Sequence, residues 1–151
     1  MNKIIISDTS CLIALSNIGL LSILKDLYQE IIITQEVKDE FGELIPDWIK
    51  VIKVKNIEKQ YEIAKELDKG EASSIALALE TENSVLIIDE IKGRKIARSL
   101  KLEIIGTVGV LLLADKKGLI KDVIGTILKL VNKGFRLSDK LLDKILEKYN
   151  K

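Results

Sequence analysis

The chain contains no histidine and a single cysteine, Cys11, and both scarcities narrow its chemistry. Without histidine there is no Ser-His-Asp or Cys-His machinery and no histidine-ligated zinc. One cysteine rules out an internal disulfide and any multi-cysteine zinc or iron–sulfur site, and its neighbours Leu12, Ile13 and Ala14 favour plain burial. Long hydrophobic runs are missing too. Stretches such as Val108 to Ala114 fall far short of the ~20 residues that cross a bilayer. The Met1-Asn2-Lys3 start shows neither an apolar signal core nor a small-residue cleavage site, so a cytoplasmic location without membrane association is expected. No Gly-x-Gly-x-x-Gly follows a strand and no Gly-x-x-x-x-Gly-Lys-Ser/Thr occurs anywhere, which leaves both nucleotide-cradling loops unsupported. Aromatics make up only 4% of residues beside abundant Lys, Glu and Ile, a composition that suits a heat-adapted source.

What is present is enough for one well-packed domain. The chain has 151 residues, 47% of them hydrophobic, and at this length roughly 70% of the unfolded surface is buried on folding. Charge is plentiful but balanced, with 24 basic and 23 acidic residues and a formal net charge of +1. That balance does not mark a general nucleic-acid binder, although cations bound among carboxylates can still make a local site for a polyanion.

Short apolar runs alternate with helix-length segments. The runs are Ile4 to Ser7, Ile31 to Ile33, Val51 to Val54, Val85 to Ile88 and Glu103 to Ile105. Between them, helices are predicted over Ser10–Tyr28 with a break near Gly19, Gln35–Leu44, Ile57–Leu67, Glu71–Thr81 after a break at Gly70, and Ile91–Leu100. Helices over Thr107–Lys117, Leu119–Asn132 and Asp139–Tyr149 follow, the last capped by Ser138. Such alternation predicts an α/β fold with a central, mostly parallel sheet flanked by helices on both faces. No repeat, low-complexity tract or linker divides the chain. Residues 1–151 therefore read as one domain, with C-terminal helices from about residue 119.

The most suggestive residues are acids placed just after apolar strands. Asp8 follows Ile4-Ile5-Ile6-Ser7, and Asp89 follows Val85-Leu86-Ile87-Ile88. In an open parallel sheet the crevice beyond the carboxyl ends of the strands is where distant residues meet. Each acid also serves as an ordinary N-cap for the helix after it, and alone neither reading prevails. Glutamates on two helices point the same way. Glu40 lies at the edge of the Val37, Phe41, Leu44 stripe, with Glu36 one turn earlier as the fallback, while Glu71 shares a face with Ile75 and Ala78, where favourable pairing with the helix N-terminus explains it alone at least as well. An acid cluster in a chain without histidine suggests a hard divalent cation.

In this order, Asp8-Thr9-Ser10, Glu40 in Val-Lys-Asp-Glu-Phe, Gly70-Glu71-Ala72 and Ile87-Ile88-Asp89-Glu90 resemble a PIN domain, most closely its VapC-like prokaryotic branch. Gly93-Arg94 and Gly106-Thr107-Val108-Gly109-Val110-Leu111 also fit, and the likeness spans roughly residues 3 to 135. The resemblance implies a ribonuclease using Mg²⁺ or Mn²⁺, with Asp8, Glu40, Glu71 and Asp89 as catalytic acids and Asp8, Glu71 and Asp89 as metal ligands. Ser10, Glu36 and Glu90 are expected in support. The likeness further implies an RNA substrate, a homodimer, and the toxin role in a type II toxin–antitoxin pair with a small antitoxin protein as partner. Many members carry aspartate where this chain has Glu71, and a further aspartate with a nearby Phe where it reads Asp89-Glu90-Ile91-Lys92. The longer Glu71 arm would shift a metal position, and Glu90 would compete with Asp89; the number of metals is left open.

Arg94, Lys95 and Arg98 lie off the apolar face of their helix and are candidates for RNA phosphates, an ordinary solvated face being the more economical reading. For Trp48, packing is preferred over base stacking. An aspartyl-phosphatase reading of Asp8 would require a second acid two residues on, where Ser10 stands.

Overall fold

The computed structural model describes residues 3–149. Five strands form one sheet: β1 (Ile4–Ser7), β2 (Ile31–Ile33), β3 (Ile49–Val51), β4 (Ser84–Ile87) and β5 (Ile104–Ile105). Their order is β3-β2-β1-β4-β5 and every pairing is parallel, with Ile4 to Ser7 in register with Ser84 to Ile87. The expected single α/β domain with a parallel central sheet is what forms. Its first two and last two residues lie outside those described.

Strand alternation sends side chains into two cores. Ile5, Ile31, Ile33, Val85 and Ile87 face one layer, and Ile6, Leu86 and Ile88 face the other. The first layer is built by α1 (Thr9–Asn17), α2 (Ile23–Tyr28), α7 (Thr107–Lys116), α8 (Val123–Asn132) and α9 (Asp139–Tyr149), through residues such as Leu12, Leu24, Leu111, Ile127 and Ile145. The second is built by α4 (Ile57–Ala64), α5 (Lys69–Leu79) and α6 (Ile91–Ser99), through Ile63, Ile75 and Ala97. Helix α3 (Gln35–Phe41) bridges them, burying Val37 and Phe41 in the first core while packing on α5.

Several boundaries differ from the sequence reading. The third strand lies at Ile49–Val51 rather than Val51–Val54, because Ile31, Ile32 and Ile33 pair with Ile49, Lys50 and Val51, while Val54 drops into the second core. Helix α3 stops at Phe41, since Gly42 turns left-handed at φ 70° and donates to the Lys38 carbonyl. Leu44, expected to complete the α3 stripe, is therefore 98% exposed. Gly70 does not break a helix: α5 begins at Lys69 because the Asp68 side chain caps the Glu71 N–H. Likewise α8 begins at Val123 rather than Leu119, with Asp122 as its cap. Trp48 packs against the first core, and Ser138 caps α9 through the Leu141 N–H.

Candidate active site

Strand order reverses direction between β1 and β4, the topological switch point where ligand crevices form in open parallel sheets. Asp8 and Asp89 leave these two strands side by side. The Asp8 carboxylate is 1% exposed; Oδ1 accepts the Cys11 N–H at 3.0 Å and Oδ2 accepts the Asp89 N–H at 3.2 Å. It thus caps α1 and ties the ends of the two strands together. Asp89 does not cap its own helix. Its Oδ1 accepts the Thr107 N–H at 2.7 Å, and its Oδ2 accepts the Thr107 hydroxyl at 2.6 Å and the Ser10 hydroxyl at 3.2 Å, fastening the start of α7 to the site.

The glutamates arrive from the α3–α5 contact. Glu40 accepts the Thr9 hydroxyl on Oε1 at 2.5 Å and the Gly70 N–H on Oε2 at 3.2 Å. The residue is exposed, and its carboxylate lines the cleft. Glycine at position 70 leaves room for that approach: a Cβ there would overlap the end of the flexible Glu40 side chain and sit 2.9 Å from the Thr9 hydroxyl. Glu36 turns instead to the Gln60 side chain and does not line the cleft. Glu71 is half-buried, and its Oε2 is sealed from solvent without a hydrogen-bond donor.

These carboxylates line one cleft of about 440 Å³ together with Glu90 and Asp68. Asp68 was not singled out from the sequence, although Asp68-Lys69-Gly70-Glu71 has the spacing of a helix capping box. The cleft continues over the α1 residues Ile13, Ala14 and Asn17 to Leu130, Lys133, Gly134, Phe135 and Arg136 of the α8–α9 region. Arg94, Lys95 and Arg98 do not line it. The Arg94 guanidinium donates to the Ile88 carbonyl at 2.7 Å, whereas Lys95 and Arg98 are exposed on α6.

Crowded, buried acids resist ionisation even with the Arg94 guanidinium near Asp89 and Asp8. Burial, followed by the Asp89 charge, pushes the Asp8 carboxyl well above the usual range despite the two N–H groups that favour its anion. Burial, then the adjacent Asp68 and Glu90 carboxylates, push Glu71 up to about 7. The ion pairs Lys3–Glu103 and Lys59–Glu62 lie elsewhere.

The donor chemistry fits a hard divalent cation: an all-oxygen acidic set, an unpartnered buried oxygen on Glu71, and mutual repulsion that bound positive charge would relieve. Among the described residues, however, no three acids are drawn together as a finished ligand shell. The acids share a cleft, but the tighter convergence expected of them is not met in this structure. Water and substrate oxygens commonly complete Mg²⁺ coordination.

A parallel α/β fold with a carboxylate-lined cleft at its switch point is thus defined. A family model described as PIN domain matches residues 4–151, and the chain belongs to that family. No curated protein and no solved structure gives a significant match. No helix among the described residues is long and apolar enough to cross a membrane.

Proposed function

We propose that the protein is a metal-dependent endoribonuclease and that Asp8, Glu40, Glu71 and Asp89 form its active site. The observation that carries this reading is the meeting of acids from β1, α3, α5 and β4 in one cleft, two of them pushed toward neutrality by burial and like charge. Asp8, Glu71 and Asp89 would hold Mg²⁺ or Mn²⁺, which when bound supplies Lewis acidity to activate a water and to neutralise charge building on the phosphoryl oxygens. Glu40, fixed by Thr9 and Gly70, faces the cleft as a base or water-orienting group. The Ser10 hydroxyl, bound to Asp89, positions that carboxylate and has no base to make it a nucleophile. Glu90 is exposed at the cleft rim, available to a second cation or its water shell. Lys95 and Arg98 take phosphates further along the strand, while Arg94 braces the turn after β4.

Asp89→Asn is the sharper knockout. Its amide can replace Oδ2 against two hydroxyls, which accept as well as donate, whereas Asn at position 8 would set an N–H against a backbone N–H. With a mixed RNA pool and Mg²⁺ or Mn²⁺, wild type is expected to cleave and leave 5′-phosphate and 3′-hydroxyl ends. EDTA and Asp89→Asn should each abolish the products. Cleavage that survives both overturns the assignment.

The family likeness extends this reading to a type II toxin with a small antitoxin partner and to a homodimer. Ile13, 41% exposed on the cleft, and Leu141, 44% exposed on α9, are apolar surfaces such partners would cover. Mass measurement at micromolar concentration tests the dimer; an adjacent reading frame for a short DNA-binding protein supports the antitoxin.

The second reading is a non-catalytic RNA-binding or protein-interaction module. It is favoured by the structural employment of the acids, since Asp8 caps α1 and Asp89 secures α7. It predicts RNA or partner binding that EDTA leaves unchanged.

A further inference from the structure

We propose that the turn between α8 and α9 is a phosphate-binding wall of the cleft, with Lys133 and Arg136 gripping the nucleic-acid backbone beside the acids. The inference rests on the ribonuclease reading for its substrate, but its residues lie outside the acidic set. Lys133 follows the last turn of α8, and Arg136 comes three residues later, after Gly134 at φ 98° and Phe135. Phe135 anchors the turn by packing against the first core and by donating its N–H to the Leu130 carbonyl at 3.0 Å. Leu130 is itself 1% exposed and lines the cleft. A buried helix residue and a half-buried aromatic therefore hold two exposed cations over the same cleft that the acids border.

Among the described residues, Lys133 and Arg136 do not pair with the site acids, whose cationic neighbour is Arg94. The site carboxylates take their hydrogen bonds from Thr9, Ser10, Gly70, Cys11, Asp89 and Thr107, and the observed ion pairs, Lys3–Glu103 and Lys59–Glu62, leave Lys133 and Arg136 out. One cleft thus has a cation-seeking part on β1, α3, α5 and β4 and an anion-seeking part on the α8–α9 turn. A phosphodiester chain bound through a divalent cation presents both needs at adjacent phosphates: the one under attack lies on the metal, and its neighbour needs a cationic side chain. Nothing local in the sequence marks this pair. The expected basic helix, α6, lies outside the cleft lining.

The test uses the full chain and a labelled single-stranded RNA oligonucleotide of mixed sequence. Lys133→Gln with Arg136→Gln should raise KM about tenfold or more while kcat stays within about twofold, the pattern for lost binding that is uniform between ground and transition states. The slope of log affinity against log salt should weaken by about 1.4, two contacts at ~0.7 each for a single strand. Arg136→Lys should recover part of the loss, and Lys129→Gln, exposed on α8 outside the cleft, should change neither quantity. The same binding measurement in an Asp89→Asn background separates the two claims: absence of cleavage by wild type defeats the nuclease reading, whereas unchanged RNA affinity and salt slope in the double variant defeat the wall. A double variant that cleaves faster also overturns it, identifying the turn as a shield.

Discussion

Asp8 and Glu71 are both acids pushed toward neutrality, yet making each permanently neutral has different results. Glu71 Oε2 has no donor to lose, so Glu71→Gln relieves charge at little cost. Asp8 uses both oxygens on backbone N–H groups, and Asn can satisfy only one while turning a second donor toward the other. In metal-free buffer above neutral pH, Glu71→Gln should therefore melt higher than wild type and Asp8→Asn should not; equal shifts in calorimetry would refute this distinction. The pH dependence follows from the same residue. With Glu71 raised from 4.5 to about 7, the folded chain keeps a proton that the unfolded chain has released, so stability falls as pH rises through that window. Melting of metal-free wild type should track that fall, and Glu71→Gln should flatten it. At this scale the cleft lining was legible in the sequence: the apolar runs before Asp8 and Asp89 and the helical faces of Glu40 and Glu71 mark four acids that line it. Asp68 is not legible in the same way, because Gly70 reads as a helix break and masks the helix start that Asp68 caps.

Between elements, the α3–α5 contact carries the geometry of the glutamates. Thr34 caps α3 by accepting the Val37 N–H at 3.1 Å and meets the Ser73 hydroxyl of α5 at 2.7 Å; Ser73 and Ser74 in turn donate to the Gly70 carbonyl. Thr34→Val should cost about 1–2 kcal/mol in urea unfolding, from a lost cap and a lost buried hydrogen bond. Gly70→Ala sets two effects against each other. Helix propensity favours alanine by about 1 kcal/mol, but its Cβ would occupy the space of the Glu40 carboxylate. Because that carboxylate is the far end of a flexible, exposed side chain, Glu40 should swing aside at little cost, so thermal stability should hold or rise while RNA cleavage falls. A stabilised and fully active Gly70→Ala protein would show that cleavage does not depend on where Glu40 is held. Helix and strand identities were legible from periodicity, but their ends were set by details that periodicity does not encode: a left-handed Gly42, caps at Asp68 and Asp122, and the pairing of Ile31 with Ile49. The same limit explains Leu44, apolar by type yet stranded beyond the helix that would have turned it inward.

For the molecule as a whole, the metal is the test with the widest reach. A cation that binds only the folded state stabilises it by about 2.7 kcal/mol at a hundred times its Kd, so Mg²⁺ or Mn²⁺ should raise the melting temperature of wild type and leave Asp89→Asn with Glu71→Gln nearly unmoved. Equal shifts in both would place the ion elsewhere. The parallel sheet was readable because β and α segments alternate along the chain; the placement of Lys133 and Arg136 was not, because it depends on α8 packing back against α1. That dependence on distant chain segments has a bearing on biosynthesis. The bond from the Asp89 N–H to Asp8 spans 81 residues, and Asp89 is held in turn by Thr107. A growing polypeptide therefore carries Asp8, Glu40 and Glu71 out of the ribosome with no site to place them in, and the cleft closes only when β4 docks beside β1 and α7 follows. The proposed active site is therefore incomplete in the nascent chain until most of the domain has been made.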